Sequence, residues 1–98
     1  MTERGRRFLS GLTPHEKRML RWVCFSRHSY LGIAWRLRMT PGAVASAQWR
    51  LAVRAKVNSA GNAQTRHRLL LFVLEQRVLE PPADWGSSEF DLHPAPPK

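Results

Sequence analysis

The chain of 98 residues contains a single cysteine, Cys24, and only seven acidic side chains. One cysteine excludes an internal disulfide and a cysteine-based zinc site. The longest apolar run, residues 69–74, has six members, far short of the ~18 that a membrane-spanning helix needs. Residues 1–10 have no apolar stretch of the kind a secretory signal carries, so the cytoplasm is the expected compartment. Between residues 17 and 77 the only carboxylate is Glu75, which leaves no paired-carboxylate site. His15, His28, His67 and His93 lack metal-ligand spacing, and no glycine-rich phosphate loop is present. Catalysis, a metal and a cofactor are therefore not expected.

Positive charge fills the space that these absences leave. Sixteen Lys and Arg give a formal net charge of +9, while an apolar share of 43% is that of a folded domain rather than a disordered polycation. The length suits one small domain. The charge is uneven: net +1 over residues 1–16, +11 over 17–77 and −3 over 78–98. Such a body calls for an anionic partner, with nucleic acid ahead of a membrane surface. Arg predominates over Lys, which favours bidentate contacts to phosphate and guanine.

The helix signals are local and strong. Thr13, Pro14 and Glu16 form an N-cap, a first-turn proline and a capping-box partner, followed by Met19, Leu20, Val23 and Cys24 at helical spacing. This predicts a helix from residue 14 to about 25. Ser29 caps a second helix over residues 30–37, with Ile33, Ala34 and Leu37 on one face. Thr40-Pro41 repeats the cap-then-proline device and opens a third helix, with Val44, Ala47 and Leu51 inward, running to about residue 55 or 57. Residues 58–62 are a turn cluster, and residues 63 to about 78 are expected to form a fourth helix. The apolar run 69–74 alone would also suit a buried strand, but its length and continuation favour the helix. Residues 1–11 read as a basic arm with Arg4, Arg6 and Arg7, suited to a minor groove or to docking through Phe8 and Leu9. Residues 81–98 read as an acidic, Pro-rich, flexible tail. The expected class is thus all-α: a four-helix domain over residues 12–80 between arm and tail.

The second and third helices meet at a tight turn between Leu37 and Thr40, with Ala34, Leu37, Met39, Val44 and Ala47 facing inward. A small residue at 34 lets two helices cross closely, and the apolar set closes the wedge. This is the spacing of a helix-turn-helix, whose second helix enters a DNA major groove. Arg38 stands where such turns often have glycine.

On these residues the chain resembles the LuxR/GerE-type DNA-binding domain. Residues 12–20, Leu-Thr-Pro-His-Glu-Lys-Arg-Met-Leu, are similar to that family's L-T-x-R-E-x-E-V-L opening. Residues 33–44 are similar to its I-A-x-x-L-x-I-S-x-x-T-V stretch, with one extra residue in the loop near Ser26. Region four of bacterial sigma factors has nearly the same rhythm, and residues 40–47 resemble the recognition helix of KorA/TrfB plasmid repressors. The resemblance spans about residues 12–74 and implies a transcription regulator. Departures are Gly32 in place of a glutamate, and Ala45 and Ala47 in place of a lysine and a histidine.

The helix-turn-helix reading makes Thr40, Gly42, Ala45, Ser46, Trp49 and Arg50 the groove-facing set, with polar readout from Thr40, Ser46 and Arg50 and Trp49 against thymine methyl groups. Arg36, Arg38, Arg54 and Lys56 would hold phosphates. Trp49 also suits a protein interface, or packing on the fourth helix, while Trp22 and Trp35 read as partial core. The resemblance implies a dimer contact on the fourth helix, and Leu69, Leu70, Phe72 and Val73 supply its apolar surface; burial under Trp85 or Phe90 of the tail is the alternative. The expected function is sequence-specific duplex-DNA binding by a homodimer. The alternative is a small interaction module that docks on RNA polymerase or another transcription factor. An RNA module is weaker, because no aromatic strand platform is visible.

Overall fold

The computed structural model describes residues 1–26 and 28–81. The described chain is all-α, with five helices: α1 (Glu3–Ser10), α2 (Pro14–Phe25), α3 (Tyr30–Leu37), α4 (Pro41–Ala55) and α5 (Asn62–Glu75). Of the tail expected over 81–98, only Pro81 is among the described residues, so the alternatives that rest on Trp85 and Phe90 lie outside them.

Three helix starts follow the sequence signals. The Thr13 hydroxyl accepts from the Glu16 amide, and the Glu16 carboxylate accepts from the Thr13 amide at 2.9 Å, completing the capping box. These bonds to backbone N–H, followed by the nearby Arg54 and Arg50, hold the Glu16 carboxyl below the usual carboxylate range. Ser29 caps the Gly32 amide and Thr40 caps the Ala43 amide. Helix α4 stops at Ala55 because Lys56 turns left-handed (φ 61°), and the Val57 amide then folds back to the Ala52 carbonyl at 2.9 Å. Helix α5 starts one residue before the expected 63 and ends at Glu75 rather than near 78. Arg77 is left-handed (φ 54°) there, and the returning Val78 amide meets the Val73 carbonyl at 3.0 Å, burying Val78.

The N-terminal arm is the main correction. Residues 3–10 form α1, packed on the body, so the domain has five helices and its boundary moves back to the N-terminus. The Thr2 amide donates to the Gln76 carbonyl at 3.1 Å, and the Thr2 hydroxyl donates to the Gln76 side-chain oxygen. A Cβ on Gly5 would sit 2.7 Å from that same Gln76 carbonyl oxygen, so only glycine lets α1 approach α5 this closely. Phe8 is buried edge-to-face on Phe72 with ring centroids 5.1 Å apart.

Met19, Leu20, Val23 and Phe25 from α2, Ile33 from α3, Val44 and Leu51 from α4, and Leu69 and Val73 from α5 are essentially fully buried and form one core. A second device locks α2 to α5. Arg66 donates to three main-chain carbonyls beyond and within the last turn of α2: Nε to Val23 at 2.8 Å, Nη1 to His28 at 2.8 Å and Nη2 to Ser26 at 3.0 Å. Helix C-termini leave such carbonyls without intrahelical partners, and a cation complements them. Burial lowers the proton affinity of this guanidinium, an effect partly opposed by Tyr30 and Cys24. Gln48, buried within α4, donates to the Asn62 carbonyl at 2.9 Å and so ties α4 to the start of α5.

Candidate nucleic-acid interface

Helices α3 and α4 follow one another through a short turn, the arrangement that the helix-turn-helix reading expects. Ala34 and Val44 are fully buried where they cross, Ala47 is buried beside them, and Leu37 and Met39 pack on the same core from the turn. Arg38 takes the left-handed conformation (φ 57°, ψ 48°), and the Met39 amide then donates to the Ala34 carbonyl at 2.8 Å. The turn therefore has the geometry for which glycine is favoured, with arginine in its place. Gly32, where the LuxR-type pattern has glutamate, is buried under His28. A Cβ there would lie 2.9 Å from the His28 Cβ, which explains the small residue.

The outer face of α4 presents Gly42, Ser46, Trp49, Arg50 and Val53, at spacings of 4, 3, 1 and 3 residues that share one side of a helix. All are exposed; Ala45 is half-buried at the edge. Thr40 is exposed at the start of this face, its hydroxyl oxygen accepting from the Ala43 amide at 3.1 Å with its own proton left over. No carboxylate lies between Glu16 and Glu75 in sequence, so α3 and α4 carry none. A Cβ on Gly42 would meet nothing within 4 Å, leaving the backbone open there to an approaching surface.

The flanking cations divide. Arg38 is exposed at the turn beside Thr40. Arg36 is half-buried, its guanidinium 5.2 Å from the Trp35 ring centroid. Arg54 donates to the Gly11 carbonyl and lies 3.8 Å from Glu16, which turns it toward α1 and α2. Lys56, beyond the end of α4, lines a cleft against α1 with Arg54. Arg66, part of the basic body in sequence, is consumed by the α2 carbonyls.

Two expectations change. Trp35 is not partial core but 51% exposed, while Trp22 is partly buried as expected, its ring beside that of His28. Trp49 does not pack on α5; it is 44% exposed and borders a shallow groove with Val53, Arg50, Arg54 and Glu16. On α5, Leu69, Phe72 and Val73 are buried within this chain, against α1, α2 and α4, and cannot serve as a dimer contact. Leu70 is half-buried, and Leu71 is the exposed large hydrophobic of this helix. The apolar character of α5 is explained by neighbours on several sides, one of them α1.

Among the described residues no group of histidine, cysteine and carboxylate side chains is arranged to hold a metal ion, and no helix is long and apolar enough to cross a membrane. Cys24 is buried, and burial pushes its thiol up to about 12. Comparison of the chain with protein-family models, curated proteins and solved structures finds no match in any of the three.

Proposed function

We propose that this protein is a duplex-DNA-binding regulator of transcription that reads the major groove with α4. The observation that carries this reading is the exposed face of α4, which has no carboxylate of its own and meets one, Glu16 of α2, only at its Arg50–Arg54 edge, on a helix pair whose crossing residues, Ala34 and Val44, are buried in the way a helix-turn-helix needs. The resemblance to LuxR/GerE-type domains supports it. Ser46 and Arg50 offer hydrogen bonds to base edges, and Trp49 offers an apolar face to thymine methyl groups. Arg38, exposed at the turn, is the phosphate contact of the sequence-derived set that adjoins the start of α4, and the half-buried Arg36 precedes it by two residues. Burial of Leu69, Phe72 and Val73 within the chain removes the face expected for a homodimer contact, so a single copy is the simpler DNA-binding unit.

Mobility-shift titration against a random duplex pool, followed by selection of the bound sequences, tests this. Binding at low salt that weakens steeply as salt rises is expected. Arg50→Ala should weaken the selected site about tenfold, at the lower end of the 1–3 kcal/mol carried by a bidentate base contact. No binding to any duplex at low salt sinks the reading.

A second reading rests on Trp49 and Val53, two large apolar side chains exposed one turn apart on the same face. Such a stripe also anchors protein partners, such as RNA polymerase or another transcription factor. Trp49→Ala separates the two. Loss of partner capture with DNA affinity unchanged favours the interaction module.

A further inference from the structure

A second site lies at the opposite end of α4. Thr40 and the C-terminal residues of this helix are about 22 Å apart at 1.5 Å per residue, and the last of the groove-facing residues, Arg50, precedes the cleft residues Arg54, Ala55 and Lys56 by at least one turn. Between α1 and the end of α4 runs a cleft of about 500 Å³, within the range of small-molecule sites. Its floor is apolar, built on the edge-to-face pair Phe8 and Phe72. Its rim carries Arg4, Arg7, Arg54 and Lys56.

The cations are not equivalent. Arg7 is paired with Glu3 at 2.8 Å and Arg54 is near Glu16 at 3.8 Å. Arg4 and Lys56 have no carboxylate within ion-pair distance among the described residues. Arg4 is also fixed: its guanidinium sits 5.0 Å over the Phe72 ring centroid and donates to the Ala55 carbonyl at 2.9 Å. A guanidinium plane held on a phenyl ring stacks a further planar ring on its free face, and neighbouring unpaired cations take an anion.

We propose that this cleft binds a nucleoside phosphate, with the base stacked beside Arg4 and Phe72 and the phosphate on Lys56 and on Arg7, whose solvent-exposed pair with Glu3 is weak and is exchanged for it. The site stands independently of the DNA reading. Stacking alone or charge alone would recruit less than the two together, so the ligand class is defined by needing both.

The test is an NMR titration of the full ¹⁵N-labelled chain with AMP, with inorganic phosphate and adenosine as separate arms. Saturable shifts are expected for AMP at the amides of residues 4–8, 55–56 and 72, with phosphate and adenosine each binding at least tenfold more weakly. Arg7→Gln with Lys56→Gly should weaken AMP at least tenfold. This pair spares the fold, because Arg7 is exposed and glycine suits the left-handed backbone at 56. Phosphate binding as tightly as AMP, an unaffected double variant, or no shifts at millimolar AMP each overturn the proposal. Displacement of bound duplex by AMP also overturns it, by making the cleft part of a DNA track. Arg50→Ala should leave AMP binding unchanged while DNA binding falls, so either reading can fail without the other.

Discussion

Removing the Arg66 guanidinium should cost this domain a large part of its stability. Three main-chain carbonyls, those of Val23, Ser26 and His28, lose their donor at once in Arg66→Ala. A hydrogen bond from a charged donor contributes about 1.5–3 kcal/mol net. The side chain is only partly buried, so water would replace some of what is lost. The lower end of that range over three bonds, tempered by hydration, gives about 3 kcal/mol. A domain of this size has a total of roughly 4–12 kcal/mol, so the loss is a quarter or more of it. At about 4–8 °C per kcal/mol, Tm should fall by roughly 12–24 °C. Urea and thermal denaturation followed by circular dichroism measure this. Arg66→Met keeps most of the apolar stem and should fall nearly as far, which separates the hydrogen bonds from packing. Arg66→Lys should recover about a third, because an ammonium is a point donor and cannot reproduce the planar fork. A change below about 1 kcal/mol in Arg66→Ala would refute the reasoning, since lost bonds to this many carbonyls cannot be so cheap. DNA affinity measured well below the lowered Tm should not change.

Three further outcomes are expected. Arg38→Gly should raise stability by about 1 kcal/mol by relieving a left-handed non-glycine residue, yet lower the salt slope of DNA binding by about one; a denaturant melt and a salt titration of the same variant must move in opposite senses. Gly5→Ala should destabilise by about 1–3 kcal/mol, because the added methyl meets the Gln76 carbonyl rather than a side chain that can swing away, and protection of the α1 amides from hydrogen exchange should fall most. Cys24 should resist alkylation near neutral pH in the folded chain and react once urea unfolds it. Its thiol, raised from about 9 to about 12 by burial, binds its proton more tightly in the folded state. The resulting contribution is complete below pH 9 and is lost as pH rises from 9 toward 12, so Cys24→Ala should flatten the alkaline decline in stability.

Helices α2, α3 and α4 were legible because their signals are short-range. Thr13 with Glu16, Ser29 with Gly32 and Thr40 with Ala43 each make their bond three residues away, so residue type and spacing determine the cap before any tertiary contact forms. The inward rhythm of Ala34, Leu37, Met39, Val44 and Ala47 is likewise contained within fourteen residues. The outward set of α4 followed from helical geometry: Thr40, Gly42, Ser46, Trp49 and Arg50 are exposed, while Ala45 is half-buried at the edge.

The rest depends on partners distant in sequence. An eight-residue helix does not hold itself together in water, so α1 exists only because Gly5 and Thr2 meet Gln76 and because Phe8 meets Phe72. No pattern in residues 1–11 names those partners, and three arginines around a glycine read equally well as a loose arm. The same contacts decide that Leu69, Phe72 and Val73 are core rather than a dimer face. Composition counted Arg66 with the charge expected to meet an anionic partner; only packing reveals that carbonyls about forty residues earlier consume it. The sequence by itself determined the charge, the starts of α2, α3 and α4, and the inward spacing of α3 and α4. Tertiary structure decided which cations remain free and which apolar faces are covered, because burial is a property of neighbours and not of a residue's own type.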